Sequence, residues 1–322
     1  MKRITKFIHA AFAVAILTIG AVTSNGALND LFVSINGDGS NGAGSISEYT
    51  PTGLQTIFAS GLSEPRGVAF DHFGNLFVAN TEFDPPDFLG HGTIVKITPG
   101  GAQSLFATVP GDNIFAEGVA FDRAGNLFVM AIDLNDPNLA STIYKITPGG
   151  VLSTFGSVTG QGLGLAFDSA GNLFAANAGP DQTIYKFAPD GTRSVFVDST
   201  AFDPDHGPIG LAFDRFGNLF VSLEVAAGLP CSNDRILKFT PDGVGSDFTT
   251  DVCFPWGLAF DRSGNLFVTE RTSVSQAGDI LKFTPDGNFT VFDSPVDDPT
   301  FLVFQLLPTP RPRPTPHPRP TF

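Results

Sequence analysis

The chain repeats one succession of apolar and polar segments five times. Each unit starts with a short apolar run, passes through a polar turn of the form D-x-x-G-N and returns in a second apolar run. The five copies are GVAFDHFGNLFVAN, GVAFDRAGNLFVMA, GLAFDSAGNLFAAN, GLAFDRFGNLFVSL and GLAFDRSGNLFVTE. Two apolar runs of this length around a glycine-containing turn predict an antiparallel hairpin.

Two further strands are predicted after each hairpin. A segment of the form K-[IF]-[TA]-P-[GD]-G supplies a third strand and its turn, and a short apolar run after it supplies the fourth. The unit recurs about every 47 residues, a period typical of four-stranded propeller blades rather than helical repeats. The apolar runs are continuous instead of alternating, as expected for strands that neighbouring blades cover on both sides.

The two ends of the repeat region complement each other. Residues 31–33 match a second strand, and 45–49 and 54–59 match a third and a fourth, but no first strand precedes them. That strand is found at the other end, where PTFLVFQ at 299–305 aligns with PWGLAFD at 255–261. We therefore predict an all-β, six-bladed propeller of four-stranded antiparallel blades, closed by one composite blade.

The segments outside the repeats differ in composition. Lys2, Arg3 and Lys6 precede a short apolar run, which is typical of a cleaved export signal, with a buried strand as the alternative. The proline alternation from residue 306 onward predicts an extended, disordered Pro/Arg-rich tail. We thus expect a signal peptide at 1–27, the propeller at 28–305 and a tail at 306–322, in a protein that is secreted or held in the cell envelope or periplasm.

Charge and hydropathy limit the partners. The formal net charge is −14, and both predicted terminal segments contain basic but no acidic residues, so the propeller itself is more acidic than the whole chain. Such a surface repels phosphate backbones, which excludes nucleic acid as a partner of the propeller. The apolar run near the N-terminus is too short for a comfortable membrane span. We expect a monomer with no membrane span in the mature chain.

The predicted strand directions place all the uniform turns on one face and every irregular segment on the other. Because binding residues concentrate on loops held by a rigid scaffold, we expect any site on this variable-loop face or in the channel mouth beneath it. Cys231 and Cys253 fall in two loops of the same face. In an exported protein this placement favours a disulfide, and two separate buried thiols are the alternative.

The repeated G-[VL]-A-F-D-x-x-G-N-L-F-V sequence resembles the NHL-repeat propellers and, more distantly, the senescence-marker/gluconolactonase lactonases and virginiamycin-type lyases. The resemblance covers residues 31–305 and implies either a binding role or a hydrolase or lyase activity. The lactonases hold a divalent metal with the glutamate of an E-G-P-x-W segment, and Glu117 occupies the matching position here. Ile209 and Trp256 occupy two positions where the lactonases have oxygen ligands, and their side chains provide none.

Alignment of the blades predicts two rings of residues around the channel. The first ring is Arg66, Glu117, Leu163, Ile209, Trp256 and Thr300. The second ring, at the ends of the second strands, is Ile35, Asn80, Ala131, Asn177, Leu223 and Glu270. From these we select six ligand candidates at the channel mouth: Arg66, Glu117, Trp256, Asn80, Asn177 and Glu270.

Structural and metal-binding interpretations of the rings remain open. An Arg66–Glu117 contact between neighbouring blades would plug the channel as structure. Asn80, Asn177 and Glu270 are candidates for a weak Ca²⁺ site, and no other cofactor is predicted.

A catalytic role is the further alternative. His206 precedes a first strand at the channel mouth and is the candidate general base of a lyase, with Glu117 as the other catalytic candidate. No serine or cysteine nucleophile motif accompanies any histidine. We therefore favour an exported binding or structural module for a small molecule, a protein or a cell-surface polymer. A hydrolase or lyase of the gluconolactonase-like or virginiamycin-lyase-like group is the alternative.

Overall fold

The computed structural model describes residues 29–37, 40–84, 89–225, 234–271 and 277–305. These residues form six four-stranded antiparallel sheets and one turn of 3-10 helix, Ser199–Ala201. No helix in these ranges is long and apolar enough to cross a membrane. The predicted signal peptide and Pro/Arg-rich tail lie outside the described residues and stay predictions.

Each blade runs from a first strand at the axis, where it contacts the first strands of its neighbours, to a fourth strand at the rim. Blade 1 contains β24 (Pro299–Phe304), β1 (Leu31–Ile35), β2 (Gly44–Tyr49) and β3 (Gln55–Leu62). Blade 2 contains β4 (Val68–Phe70), β5 (Leu76–Asp84), β6 (Leu89–Ile97) and β7 (Gln103–Thr108). Blade 3 contains β8 (Ile114–Phe121), β9 (Leu127–Asp133), β10 (Ser141–Ile146) and β11 (Leu152–Val158).

The remaining three blades have the same order. Blade 4 contains β12 (Gly162–Phe167), β13 (Leu173–Asn177), β14 (Thr183–Phe187) and β15 (Arg193–Val197). Blade 5 contains β16 (His206–Phe213), β17 (Leu219–Val225), β18 (Arg235–Phe239) and β19 (Gly245–Thr249). Blade 6 contains β20 (Pro255–Phe260), β21 (Leu266–Arg271), β22 (Ala277–Phe283) and β23 (Phe289–Asp297).

Blade 1 confirms the predicted closure of the ring. Its first strand, β24, pairs antiparallel with β1, so that Val303 lies opposite Phe32 and Leu302 lies opposite Val33. The side chains of Leu302 and Phe304 are buried with those of β1. A strand from each end of the described chain therefore completes one sheet and leaves no open edge at the axis.

Phenylalanine triads join each blade to the next. In each triad the second-strand ring packs edge-on against a ring of its own fourth strand and a ring of the next blade's first strand, with centroids 4.8–5.1 Å apart. The triads, second-strand ring first, are Phe32–Phe58–Phe70, Phe77–Phe106–Phe121, Phe128–Phe155–Phe167, Phe174–Phe196–Phe213, Phe220–Phe248–Phe260 and Phe267–Phe292–Phe304. These dry contacts need no polar group on the ring, which explains why the chain has 33 Phe but only 3 Tyr and 1 Trp.

A β-bulge places the fourth-strand phenylalanine in each triad. In blade 5, Ile236 pairs with Thr249 and Leu237 pairs with Asp247, so Phe248 has no partner in the ladder. The same register shift occurs in the other five blades. A bulge bends the outer strand and interrupts its free edge, so it also hinders edge-to-edge association.

The D-x-x-G-N turns are held by their own side chains. Asp71 accepts hydrogen bonds from the backbone N–H of Asn75 at 2.8 Å and from its side-chain amide at 2.7 Å. Gly74 has φ of +81°, a conformation that glycine adopts without steric cost. The same carboxylate-to-amide pattern recurs at Asp122, Asp168, Asp214 and Asp261. The turn face is therefore uniform, which leaves the opposite face for variation.

Candidate functional site

The six first-ring residues lie where neighbouring first strands touch. A glycine follows five of them, and each glycine faces the backbone of the next blade. A Cβ atom on Gly210 would lie 2.1 Å from the carbonyl oxygen of Trp256, and one on Gly118 would lie 2.3 Å from that of Leu163. The sequence keeps glycine here because any side chain would force the inner strands apart. The rigid inner ring fixes the positions of the side chains at the channel mouth.

At three of the six junctions between the described blades, a buried second-strand hydroxyl group bridges the first strand of its own blade and the first-ring residue of the next. Ser222 accepts the N–H of Gly210 in its own blade at 2.8 Å and donates to the carbonyl of Trp256 in the next blade at 2.7 Å. Thr269 and Ser34 make the corresponding links from blade 6 to blade 1 and from blade 1 to blade 2. The equivalent positions in blades 2, 3 and 4 are Ala79, Met130 and Ala176. The ring is thus asymmetric, with hydroxyl links on both sides of the composite blade.

Two ion pairs occupy one side of the channel mouth. Arg66 pairs with Glu64 at 3.1 Å, and Arg271 pairs with Asp298 at 3.0 Å. Both guanidinium groups lie over the ring of Trp256, at 5.1 Å and 4.4 Å from its centroid. The charge of each arginine is balanced by a carboxylate, and stacking on the ring of Trp256 stabilises its position. The two arginines and Trp256 therefore close this side of the channel mouth.

The predicted Arg66–Glu117 contact is replaced by a longer-range interaction. Neither side chain makes an ion pair or hydrogen bond with the other, and Arg66 uses Glu64 instead. Burial would lower the pKa of Arg66, but the negative charges of Glu117 and Glu64 outweigh it and raise that pKa. Glu64 is therefore the ion-pair partner of Arg66, and Glu117 acts on Arg66 through its charge alone.

Glu117 is the most unusual group in the ring. It is 4% exposed, and its Oε2 atom is buried without a hydrogen-bond partner among the described residues. Burial raises the pKa of its carboxyl group, and the positive charges of Arg66 and Arg271 offset only part of that rise. A carboxyl group that feels the positive charges of two arginines, in a ring where Leu163, Ile209 and Trp256 offer no side-chain oxygen, does not fit a divalent-metal site. We derive no metal-dependent step from it.

The opposite side of the mouth is apolar and holds a cavity of about 590 Å³. The inner wall is formed by Leu163, Ile209 and Trp256, and Leu163 and Ile209 belong to one buried cluster with Ile132. Loops of blades 3, 4 and 5 form the outer wall, including the side chains of Asn138, Gln161, Gln182 and Asp205. The cavity therefore lies on the variable-loop face, beside the channel axis.

The polar members of the second ring are separately engaged. Asn80 accepts the N–H of Ser63 at 2.7 Å and donates to Thr93 at 3.1 Å. Asn177 donates to Asp181 at 2.7 Å. Within the described ranges, no hydrogen bond joins any two of Asn80, Asn177 and Glu270. These contacts do not test calcium binding by the three residues, which stays a prediction.

His206 and the segment around Cys253 meet between blades 5 and 6. The Nε2 atom of buried His206 lies 3.5 Å from Asp234, whose other oxygen accepts the N–H of Phe254 at 2.7 Å. Glu270 accepts the N–H of Cys253 at 3.0 Å. The contact with Asp234 therefore holds the His206 side chain in place, and His206 is not among the residues that line the cavity. Cys231, the predicted partner of Cys253, lies outside the described residues, so their disulfide stays a prediction.

Glu270 makes the stability of the protein pH-dependent. It is only 9% exposed, and burial raises its pKa from 4.5 to about 7. Between these values the folded state keeps a proton that the unfolded state has lost, so stability falls as pH rises through this range and then levels off. At 1.36 kcal/mol per unit, the loss from this group is roughly 3 kcal/mol.

We expect Glu270→Gln to remove this loss. The variant keeps an acceptor for the N–H of Cys253, so it should match the parent at pH 4 and exceed it by roughly 3 kcal/mol at pH 8. Urea unfolding at the two pH values measures the difference. Glu82→Gln, at an exposed position on the same face, is the control. A constant difference between Glu270→Gln and the parent across the range would contradict the prediction.

The fold and these contacts define a six-bladed propeller whose channel mouth combines an arginine–tryptophan cluster with an adjacent cavity. No protein-family model and no curated protein sequence matches the chain. Solved structures of the same fold do match the chain. Three of them are proteins whose names state an activity or a ligand.

The periplasmic gluconolactonase of Pseudomonas aeruginosa is 17% identical, with a TM-score of 0.57 over 88% of this chain and 100% of that one. Regucalcin, a calcium-binding protein from Agrobacterium tumefaciens, is 14% identical, with a TM-score of 0.57 over 77% and 83%. Virginiamycin B lyase from Staphylococcus aureus is 15% identical, with a TM-score of 0.53 over 74% and 73%. The TM-scores show the shared propeller fold that the resemblance had implied, and at identities this low the comparisons show the fold alone.

Sequence reasoning missed several members of the site. Arg271, Glu64 and Asp298 were not among the candidates. Arg271 stacks on Trp256 and pairs with Asp298 through contacts between separate segments of the chain, which the repeat does not reveal. Glu64 lies only two residues before Arg66, but it is outside the aligned ring positions. Asn138 and Gln161 were missed because they lie in irregular loops with no repeat to align. The hydroxyl links had a visible signal, since Ser34, Ser222 and Thr269 replace an apolar residue at one aligned position of the second strand.

Proposed function

We propose that the protein is an exported propeller that binds a small amphipathic molecule in the cavity beside Trp256. The cavity itself is the observation that carries this proposal, because its volume of about 590 Å³ lies in the range of small-ligand sites. Its apolar inner wall faces loop side chains that can form hydrogen bonds. This combination of buried apolar surface and a few polar groups is typical of ligand pockets.

The neighbouring channel mouth supports binding over metal-assisted catalysis. Arg66 and Arg271 are already paired and stacked, so they are not poised to polarise a substrate. Leu163, Ile209 and Trp256 give the ring no oxygen ligands for a cation.

Trp256 provides a direct test, because it is the only tryptophan in the chain and lines the cavity. Excitation at wavelengths selective for tryptophan therefore reports on this site alone. We expect a screen of small amphipathic compounds to yield ligands that change Trp256 emission and protect it from quenching by acrylamide. Gln161→Ala should weaken such ligands up to about tenfold through loss of one hydrogen bond. Gln103→Ala, on the rim in β7, is the control. Ligands that bind equally to both variants would place the site elsewhere.

A hydrolase or lyase is the second candidate. Two solved structures of this fold carry the names gluconolactonase and virginiamycin B lyase. Glu117, with its raised pKa and unpartnered oxygen, is the group best suited to transfer a proton. A lactone-hydrolysis assay that compares the parent with Glu117→Gln tests it, and equal rates would exclude a catalytic Glu117.

A further inference from the structure

The lining of the cavity carries negative charge and no positive charge among the described residues. Asp205 is the single charged residue among those that line it in the described part of the chain. Asp203, two residues earlier, is neutralised by Arg235 at 3.1 Å, whereas Asp205 makes no ion pair within the described ranges. The carboxylate of Asp205 is exposed on the rim, so its charge is felt by any ligand that enters.

None of the described residues that line the cavity is a cation that could balance an anionic ligand. The guanidinium groups of Arg66 and Arg271 lie over Trp256, which lines the cavity, but they are held by Glu64 and Asp298. Recruiting either one would break a partly buried ion pair, which costs more than an exposed pair would. The chain as a whole has a formal net charge of −14, which adds a general repulsion of anions.

Neutral hydrogen-bonding groups are available instead. Asn138 and Gln161 line the cavity, and their side-chain amides have no hydrogen-bond partner among the described residues. The amide of Gln182 is already donated to the carbonyl of Pro204 at 2.7 Å. Each free amide offers both a donor and an acceptor, so together they can satisfy an uncharged polar group of a ligand.

We infer that the cavity selects uncharged or cationic amphipathic molecules and rejects carboxylates and phosphates, through Asp205 at its rim and the free amides of Asn138 and Gln161. This inference rests on the proposed binding function and adds the chemical class of the ligand. An apolar ring or chain would lie against Leu163 and Ile209. Its polar end, an amide, alcohol, ester or ammonium group, would face the loops.

Three probes that share one apolar group and differ in their polar end test the inference, namely 4-cyclohexylbutanamide, 4-cyclohexylbutanoate and 4-cyclohexylbutylammonium. None absorbs where Trp256 is excited, so fluorescence titration at low salt measures all three on the full chain. We expect the carboxamide and the ammonium compound to bind at least tenfold more tightly than the carboxylate. Asp205→Asn should weaken the ammonium compound several-fold and leave the carboxamide unchanged. Raising the salt concentration should reduce the difference between the charged probes.

Asp190→Asn is the matched control, because it removes the same charge from an exposed turn of blade 4 on the opposite face. It should leave all three affinities unchanged. Binding of the carboxylate as tight as that of the carboxamide would overturn the selectivity while leaving the binding function intact. Failure of all three probes to affect Trp256, together with a negative compound screen, would instead remove the proposed function itself.

Discussion

Deletion of residues 300–322 is expected to abolish cooperative folding. The deletion removes nearly all of β24, the inner strand of the composite blade, and with it the buried side chains of Leu302 and Phe304. Burial of one such side chain contributes ~1.5–3 kcal/mol. The loss also breaks the ladder with β1 and removes the Thr269 link to Thr300. Because a domain has only ~5–15 kcal/mol of net stability, these losses together exceed what the ring can tolerate.

Deletion of residues 308–322 is the matched control for this experiment. It leaves every strand of the described structure in place, so the thermal midpoint should equal that of the full chain. Circular dichroism and calorimetry on the two truncated proteins provide the measurement. If both unfold at the same temperature with the same cooperativity, the ring does not depend on its C-terminal strand.

Phe220→Ala is expected to lower the free energy of unfolding by about 3–5 kcal/mol, the usual cost of truncating a buried phenylalanine. Phe220 is 4% exposed and packs edge-on against Phe248 and Phe260 at 5.0 Å and 4.9 Å. Its truncation would leave a cavity between blades 5 and 6 and would remove both ring contacts. Lys238, which lies over the same ring, would also lose its partner.

Phe216→Ala is the control that distinguishes the loss of a triad ring from the loss of any phenylalanine. Phe216 lies four residues away in the D-x-x-G-N turn and is 71% exposed. Its truncation should change the free energy of unfolding by less than about 0.5 kcal/mol. Urea unfolding of the two variants gives the comparison, and a similar loss in both would mean that the triads do not join the blades.

The repeat made most of the fold predictable. Five copies of one unit defined the strands, the turns and the period, and the incomplete units at residues 31–59 and 299–305 predicted the composite blade. The sequence predicted that the triad phenylalanines are buried, but it did not predict which rings contact each other. The bulge at Phe248 is a register shift between two strands, and the apolar pattern does not show it. The first ring was also predictable, since the same alignment that finds Gly118 and Gly210 finds the residues before them.

The candidate site was predictable only in part. The repeat determines which residues lie on the ring, but it does not determine which side chains contact each other. The sequence therefore suggested an Arg66–Glu117 contact, whereas the ion-pair partner of Arg66 is Glu64. The face of the molecule that holds the cavity was predictable, but the cavity itself was not, because its outer wall comes from loops of three blades that share no pattern.

The sequence by itself determined that this protein is a closed ring of six blades, because each blade is a local unit whose strands and turns are encoded within about 47 residues. Only the tertiary structure decided that one side of the channel mouth is filled by Arg66, Arg271 and Trp256 while the other side remains a cavity. The physical reason is that packing between loops depends on side-chain contacts across blades. Such contacts have no periodicity along the chain, and they exist only once the ring has closed.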